Sequence, residues 1–330
     1  MADRLRVAVI GMGAMGGNHA RVYSELPDAE LVAVADCDES RLSDAPARAY
    51  GDYRRLLAEE RLDAVSIAVP TRRHLETALA CIERGVPLLV EKPLAATVDE
   101  GERIQAAAEA RGVPLAAGHI ERCNPAVVEL KRRLDAGEIG RVLQIRAVRV
   151  GPFHSRQRDV GVVHDLATHD IDVMRHLTGC EVERARAETQ RGVRTEFEDA
   201  LLGVLRFENG VIGSLEVNWL TPVKQRTLAV AGDNGMFVAD YISQELRFYD
   251  SASDPDPSPS NNAGNATHIE AERQEPLRVE LAAFLRAARG LEPPLVGAAD
   301  AIAALRVAEA LVESAQRGDA VQVPAGEARR

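Results

Sequence analysis

"RVAVIGMGAMGG", Arg6 to Gly17, is a run of β-favouring apolar residues that breaks into Gly11-x-Gly13-x-x-Gly16 and continues into helix-forming sequence. Each glycine has a mechanical reason. Gly11 makes the tight strand-to-helix turn, Gly13 lets a pyrophosphate approach the backbone, and Gly16 lets the helix pack close to the strand. The N–H groups around Met12, Ala14 and Met15 would then face an anion at the positive end of the helix. Alone the motif is weak; a strand before it and a helix after it make it a candidate dinucleotide turn.

Working outward, "LVAVAD" reads as a second strand ending in Asp36, about twenty residues past the last glycine, where a ribose-binding carboxylate belongs. That carboxylate would repel a 2′-phosphate, and Cys37, Asp38 and Glu39 supply no base to hold one, so NAD is expected over NADP. The bland alternative is a turn aspartate at a strand end. "LDAVSIAVP", "VPLLVEKP" and "VPLAAGH" continue the strands, and Thr97-x-x-Glu100 is a capping box for a helix running to Gly112. Alternation of this kind predicts a doubly wound α/β parallel sheet over residues 1–120. Ligands lie beyond the carboxyl ends of such strands. Val69, Pro70, Thr71, His74, Glu91, Lys92 and His119 all fall there and join the cofactor set. Lys92, beside Pro93, is either a surface lysine paired with Glu91 or a desolvated amine facing the nicotinamide and suited to proton transfer.

The bulk of the chain excludes other classes. A net charge of −11 and 4% aromatic residues argue against a nucleic-acid partner. No apolar run approaches the roughly 20 residues of a membrane span. The four cysteines (Cys37, Cys81, Cys123, Cys180) form no CxxC pair, which reads as reduced thiols in a cytoplasmic protein.

A second dense stretch is "GVVHDLATHDIDVMRHLTG", Gly161 to Gly179. On a helix starting near Asp165, the residues Asp165, His169, Asp172 and His176 form one stripe. A metal site, an acid–base site and a solvated face compete for it. No further ligand cluster is evident, so no metal is expected. The solvated face accounts for Asp172 and His176, while Asp165 and His169 suit a carboxylate orienting a general base. Asp170 projects among apolar positions and would need a buried partner.

From Gly118 onward a helix ("NPAVVELKRRLDAGEIG") leads to a strand at Val142–Val150. Further strands follow at Ala200–Phe207, Val211–Trp219, Arg226–Ala231 and Met236–Tyr241. Asn209-Gly210 is a hairpin turn, "SASDPDPSPSNNAGNATH" is a mobile loop, and two closing helices end the chain. This predicts an α+β domain over 121–330 with a large, mostly antiparallel sheet. Arg149, Arg156 and Arg158 flank "GPF"; a solvated loop accounts for them, and if the substrate is a nucleotide sugar they are candidate diphosphate clamps.

The glycine-rich turn, "EKP" and the Asp-x-x-x-His helix, in this order, resemble the glucose–fructose oxidoreductase/inositol dehydrogenase family over essentially the whole chain. The resemblance implies an NAD-dependent sugar dehydrogenase with Lys92, Asp165 and His169 as its catalytic group, Lys92 and His169 converging on one substrate carbon. "GHIERCNPAV", which holds Arg122, "VRVGPFHSRQRDVGVVHDL" and "NATHIEAERQEPLRVELAAFL" are similar to the UDP-N-acetylglucosamine 3-dehydrogenase branch. That branch implies oxidation of a sugar C3 hydroxyl, a substrate set of Lys92, Arg122, Arg149, Arg156, Arg158, Asp165 and His169, and a homodimer or homotetramer. Cys123, where the branch has phenylalanine, and "FHSRQRD" depart from it on the substrate side. Inositol or free-sugar oxidation is the alternative within the family, and a non-catalytic NAD-sensing regulator the alternative of another class.

Overall fold

A computed structural model describes residues 4–153, 160–250, 266–324 and 326. The first part of the chain alternates strand and helix: β1 (Leu5–Ile10), α1 (Ala14–Glu25), β2 (Ala29–Ala35), β3 (Arg48–Tyr50), α2 (Tyr53–Glu59), β4 (Ala64–Ile67), α3 (His74–Glu83), β5 (Leu88–Glu91), α4 (Val98–Arg111) and β6 (Leu115–Gly118). The strands form a parallel sheet in the order β3-β2-β1-β4-β5-β6. The order reverses beside β1, which opens a crevice beyond its carboxyl end. β3 has no counterpart in the sequence reading. Its residues Arg48 and Ala49 are exposed and only Tyr50 is buried, so it lacks the apolar run that marks the central strands. The predicted N-cap forms: Thr97 Oγ1 accepts from Glu100 N at 3.3 Å, the Glu100 carboxylate accepts from Ala96 N at 3.1 Å, and Gly112 ends α4 with φ 64°.

The rest of the chain contributes α5 (Pro125–Asp135), β7 (Val142–Pro152), α6 (Thr168–Thr178), β8 (Val182–Arg191), β9 (Glu198–Phe207), β10 (Ile212–Asn218), β11 (Leu220–Gly232), β12 (Gly235–Asp240), β13 (Glu245–Asp250), β14 (Ala266–Ile269), α7 (Pro276–Ala288), α8 (Ala298–Arg317) and β15 (Val321–Gln322). Nine described strands form a sheet in the order β14-β13-β12-β11-β7-β10-β9-β8-β15. All its pairs are antiparallel except β7 with β10. The expected loop of residues 251–268 lies outside the described residues up to 265, and its end is strand β14, paired with β13.

The chain divides into two compact units: residues 1–120 with 275–305, and 121–274 with 306–330. The expected second domain ran unbroken from 121 to 330. Glu275–Leu305 instead joins the first unit, for a reason of coverage. On one face of the parallel sheet, α1 supplies Ala20, Val22 and Tyr23, and α7 supplies Leu277, Leu281, Phe284 and Leu285 to the same cluster. The other face is covered by α2, α3 and α4 together with Val296 and Ile302. Burying a leucine or phenylalanine contributes about 1.5–3 kcal/mol, so a sheet face left open over β4 and β5 would forgo several such terms.

Candidate active site

The glycine turn passes a direct test for a phosphate cradle. A Cβ on Gly11, which has φ 94°, would lie 2.5 Å from Ala68 O, and one on Gly16 would lie 1.6 Å from Gly11 O. Both positions exclude any side chain. A Cβ on Gly13 would meet only Arg41 Nη1, at 3.9 Å, so that space is closed to nothing in the protein and open to a ligand. Gly13 caps α1 without a side-chain hydrogen bond, and no acidic residue stands in the first turn. The first N–H groups of α1 are thereby left for an anion, as a dinucleotide pyrophosphate requires. Ala14 is exposed, whereas Met12 and Met15 are partly buried against the core.

Asp36, buried at the end of β2, accepts from Met12 N at 2.7 Å and from Asp38 N at 2.9 Å. Arg41 Nη1 also reaches it, at 3.3 Å. Arg41 lies five positions after Asp36, beyond Cys37, Asp38 and Glu39, which carry no base. A short helical turn, Glu39–Arg41, capped by Asp38, brings the guanidinium back. A signal existed in the Asp38-x-x-Arg41 spacing.

The strand-end residues of the expected cofactor set divide in two. Val69 and Lys92 are half-buried, Pro70 is exposed, and Thr71 is buried. His119, also buried, donates its backbone N–H to Ala117 O at 2.9 Å. His74 and Glu91 are instead occupied within the unit. His74 Nδ1 lies 2.9 Å from Pro93 O and Nε2 lies 3.0 Å from Val69 O, with the ring buried. Burial pulls its pKa down against those carbonyls. It clamps the loop after β4 to the turn after β5. Glu91 Oε1 meets His19 Nε2 at 3.0 Å, and its Oε2 accepts from Lys92 N at 3.1 Å. Burial opposes the Glu91 charge, and His19 outweighs it, holding the carboxyl below its usual range. His74 and Glu91 therefore shape the turn that carries Lys92, with their side chains bonded inside the unit. His19, three residues after Gly16, was invisible as a partner because the pairing spans 72 positions.

In the second unit the Gly161–Gly179 stretch is not one α-helix. Val163–Ala167 is a π turn, and α6 begins at Thr168 and ends at Gly179 with φ 61°. A π turn advances more residues per revolution, so the expected stripe is broken between Asp165 and His169. Asp165 is buried and His169 half-buried. Asp172 is fully buried and bonded by Arg122, through Nε at 2.7 Å and Nη2 at 2.5 Å, so it does not belong to a solvated face. Asp170 has the buried partner its position demanded: Arg149 donates to it through Nε at 2.7 Å and Nη2 at 3.1 Å, and to Glu121 through Nη1 at 2.9 Å. Arg149, expected as a diphosphate clamp, and Arg122, expected in the substrate set, are instead engaged by carboxylates. Arg149, 1% exposed, directs three nitrogens at carboxylates, and Arg122 is buried in a fork with Asp172. Arg156 and Arg158 lie outside the described residues. Among the described residues no three His, Cys, Asp or Glu side chains gather as a metal site requires, and none of the four cysteines is in a disulfide.

A doubly wound sheet with an open glycine cradle and a strand-end aspartate defines a nicotinamide-dinucleotide-binding oxidoreductase. Residues 5–119 match the oxidoreductase family with an NAD-binding Rossmann fold, and residues 127–238 match the GFO/IDH/MocA C-terminal domain. The chain belongs to this family, and NAD is its cofactor. It is 37% identical to inositol 2-dehydrogenase 2 of Saccharopolyspora erythraea, over 64% of this chain and 66% of that protein. It is 29% identical to the UDP-N-acetylglucosamine 3-dehydrogenase of Acidithiobacillus ferrooxidans, over 94% of this chain and 96% of the relative. A crystal structure of that enzyme superposes with TM-score 0.84 at 26% identity, covering 95% of this chain and 98% of that one. GenD2 from gentamicin A biosynthesis, in complex with NAD, superposes with TM-score 0.85 at 28% identity, covering 98% of each chain. No helix among the described residues is long and apolar enough to cross a membrane.

Proposed function

We propose that the chain oxidises a secondary hydroxyl of a sugar, C3 of UDP-N-acetylglucosamine or a related nucleotide sugar. The observation that carries this reading is likeness to the UDP-N-acetylglucosamine 3-dehydrogenase across both units, 94% of the chain. The higher identity to an inositol dehydrogenase, over 64% of the chain, favours a second reading, inositol or free-sugar oxidation.

NAD, when bound, accepts the hydride. The chain's own groups hold the charge and the proton. Lys92 and His169 are the candidate proton acceptors for the hydroxyl, and Asp165 orients the imidazole. The ammonium at Lys92 Nζ stabilises developing alkoxide charge when His169 is the base. The reduced thiols fit a cytoplasmic enzyme. The open face of the second sheet exposes Leu202, Val204 and Ile212, which supports packing against a second copy of this chain.

NADH formation across UDP-sugars, inositols and free hexoses tests the substrate, with UDP-N-acetylglucosamine expected to turn over fastest. Turnover of inositol alone would remove the nucleotide-sugar reading. Lys92→Ala and His169→Ala are each expected to lose turnover while NAD affinity stays at the wild-type value. Wild-type turnover in either variant would remove that residue's role.

A further inference from the structure

Arg226 on β11 stands directly opposite Arg149 on β7 in the antiparallel ladder. Facing pairs of this kind bring Cβ atoms to about 5 Å on one side of the sheet. Lys224, two residues earlier on β11, lies against Gly151 of β7, its Cα, Cβ and Cγ at 3.6, 3.8 and 3.7 Å from where a Cβ on that glycine would sit. Three cations thus share one patch, on the face where Leu228 and Val230 are buried. Arg149 is answered by Asp170 and Glu121. Arg226 and Lys224 have no ion pair among the described residues.

Like charges facing each other across a sheet are destabilising, and the effect is visible here. Burial and then Arg149 pull the Arg226 pKa down, while Arg226, burial and Arg149 pull Lys224 down. Local structure holds the arrangement. The register slips between Leu220 and Gln225, so β11 is irregular at Lys224 and regains its register just before Arg226. Asn218 Oδ1 pins the start of this stretch by accepting from Leu220 N at 3.0 Å, Thr221 N at 2.9 Å and Thr221 Oγ1 at 2.8 Å. Glu121 and Asp170 attract Arg226, and Glu121 attracts Lys224, but neither cation is held in an ion pair among the described residues; an exposed lysine and a half-buried arginine in this state keep donors open to an anionic ligand. Asp165 attracts Arg226 without pairing to it, which puts the patch beside the segment carrying the proposed acid–base residues of this unit.

We propose that Lys224 and Arg226 form the anion subsite of the second unit and receive the phosphate groups of the substrate. This rests on the nucleotide-sugar reading above and gives the clamp role to the cross-strand neighbour of Arg149. A guanidinium grips two phosphate oxygens in one plane and an ammonium adds a mobile point charge.

The test is calorimetric titration of the NAD-loaded full chain with UDP, uridine and glucose 1-phosphate, for the wild type and for Lys224→Met/Arg226→Gln. UDP affinity should fall by about 30-fold or more, as expected for two lost charge-assisted contacts, with uridine and NAD affinities unchanged. The unliganded variant should melt no lower than the wild type, because a repulsion has been removed. If Arg226→Gln fails to fold, Lys224→Met alone, on an exposed residue, must still weaken UDP binding. Wild-type UDP affinity in the folded variants overturns the proposal. If the wild type ignores UDP but binds glucose 1-phosphate, and the double variant does not, the subsite stands and the nucleotide-sugar reading falls. A wild type that binds neither phosphate overturns the subsite itself.

Discussion

Replacing Arg149 by methionine separates a structural arginine from a substrate clamp. The guanidinium is 1% exposed, bonded to Asp170 at 2.7 and 3.1 Å and to Glu121 at 2.9 Å, and stacked 4.8 Å from the Tyr241 ring centre. Burial opposes its charge, and Asp170 and Glu121 outweigh burial, holding it well above the ordinary arginine range. Methionine fills most of the volume but leaves two buried carboxylates without a cation. Removing one partner of a buried pair destabilises by about 3–5 kcal/mol. For a cooperative unit of this size each kcal/mol lowers Tm by about 2–4 °C, so Arg149→Met should melt roughly 6–20 °C lower at neutral pH. Differential scanning calorimetry reads this directly. The deficit should shrink as pH falls, because protonation removes the orphaned charge, and Asp170→Asn in the same background should recover part of it. UDP affinity of the folded variant should stay near wild type. A variant that melts within about 1 °C of wild type yet loses UDP binding would refute the reasoning and restore Arg149 as the clamp.

Gly13→Ala should fold normally, since its Cβ approaches only Arg41 Nη1 at 3.9 Å, yet lose about 10-fold or more in NAD affinity by titration, because the methyl occupies the pyrophosphate's approach. Gly16→Ala, with a Cβ 1.6 Å from Gly11 O, should instead lower Tm. Asp36→Ala should weaken NAD and narrow its advantage over NADP in steady-state assays, since Arg41 remains at the same strand end. Glu129, held down to about 2 by Arg132 and then Arg133 against burial, has a folded pKa below its unfolded value. Its stabilisation is therefore full above the ordinary glutamate range near pH 4 and is lost as pH falls through about 2. Glu129→Gln should lower stability by at most about 1 kcal/mol at pH 7, and by progressively less in acid denaturation series.

The first unit was largely legible because its signals are local. Strands buried on both faces read as continuous apolar runs, and Gly11, Thr97 and Gly112 mark turns and caps through their own backbone geometry. The second stretch was legible in composition but not in geometry. Asp170 announced a buried partner by its position among apolar residues, yet which arginine would answer it depended on β7 packing against α6. Asp172 was assigned to a solvated face because its partner, Arg122, lies 50 positions away in the chain and leaves no local signal. Arg149 and Arg226 look alike as strand arginines; Asp170 and Glu121, on elements outside the sheet, form ion pairs with the first and only attract the second.

By itself, then, the chain's order of residues determined the alternating first sheet, the glycine turn, the strand-end aspartate and the chemistry available at Lys92, Asp165 and His169. These depend on neighbours within a few positions, where backbone sterics and periodicity act directly. Only the tertiary structure decided that Glu275–Leu305 returns to cover the first sheet, that His19 and His74 brace the Lys92 turn, and that Arg122 and Arg149 are committed to buried carboxylates. Those outcomes rest on pairings between residues far apart in the chain, and burial selects among them: a charge removed from water must find its counter-charge wherever the fold brings one.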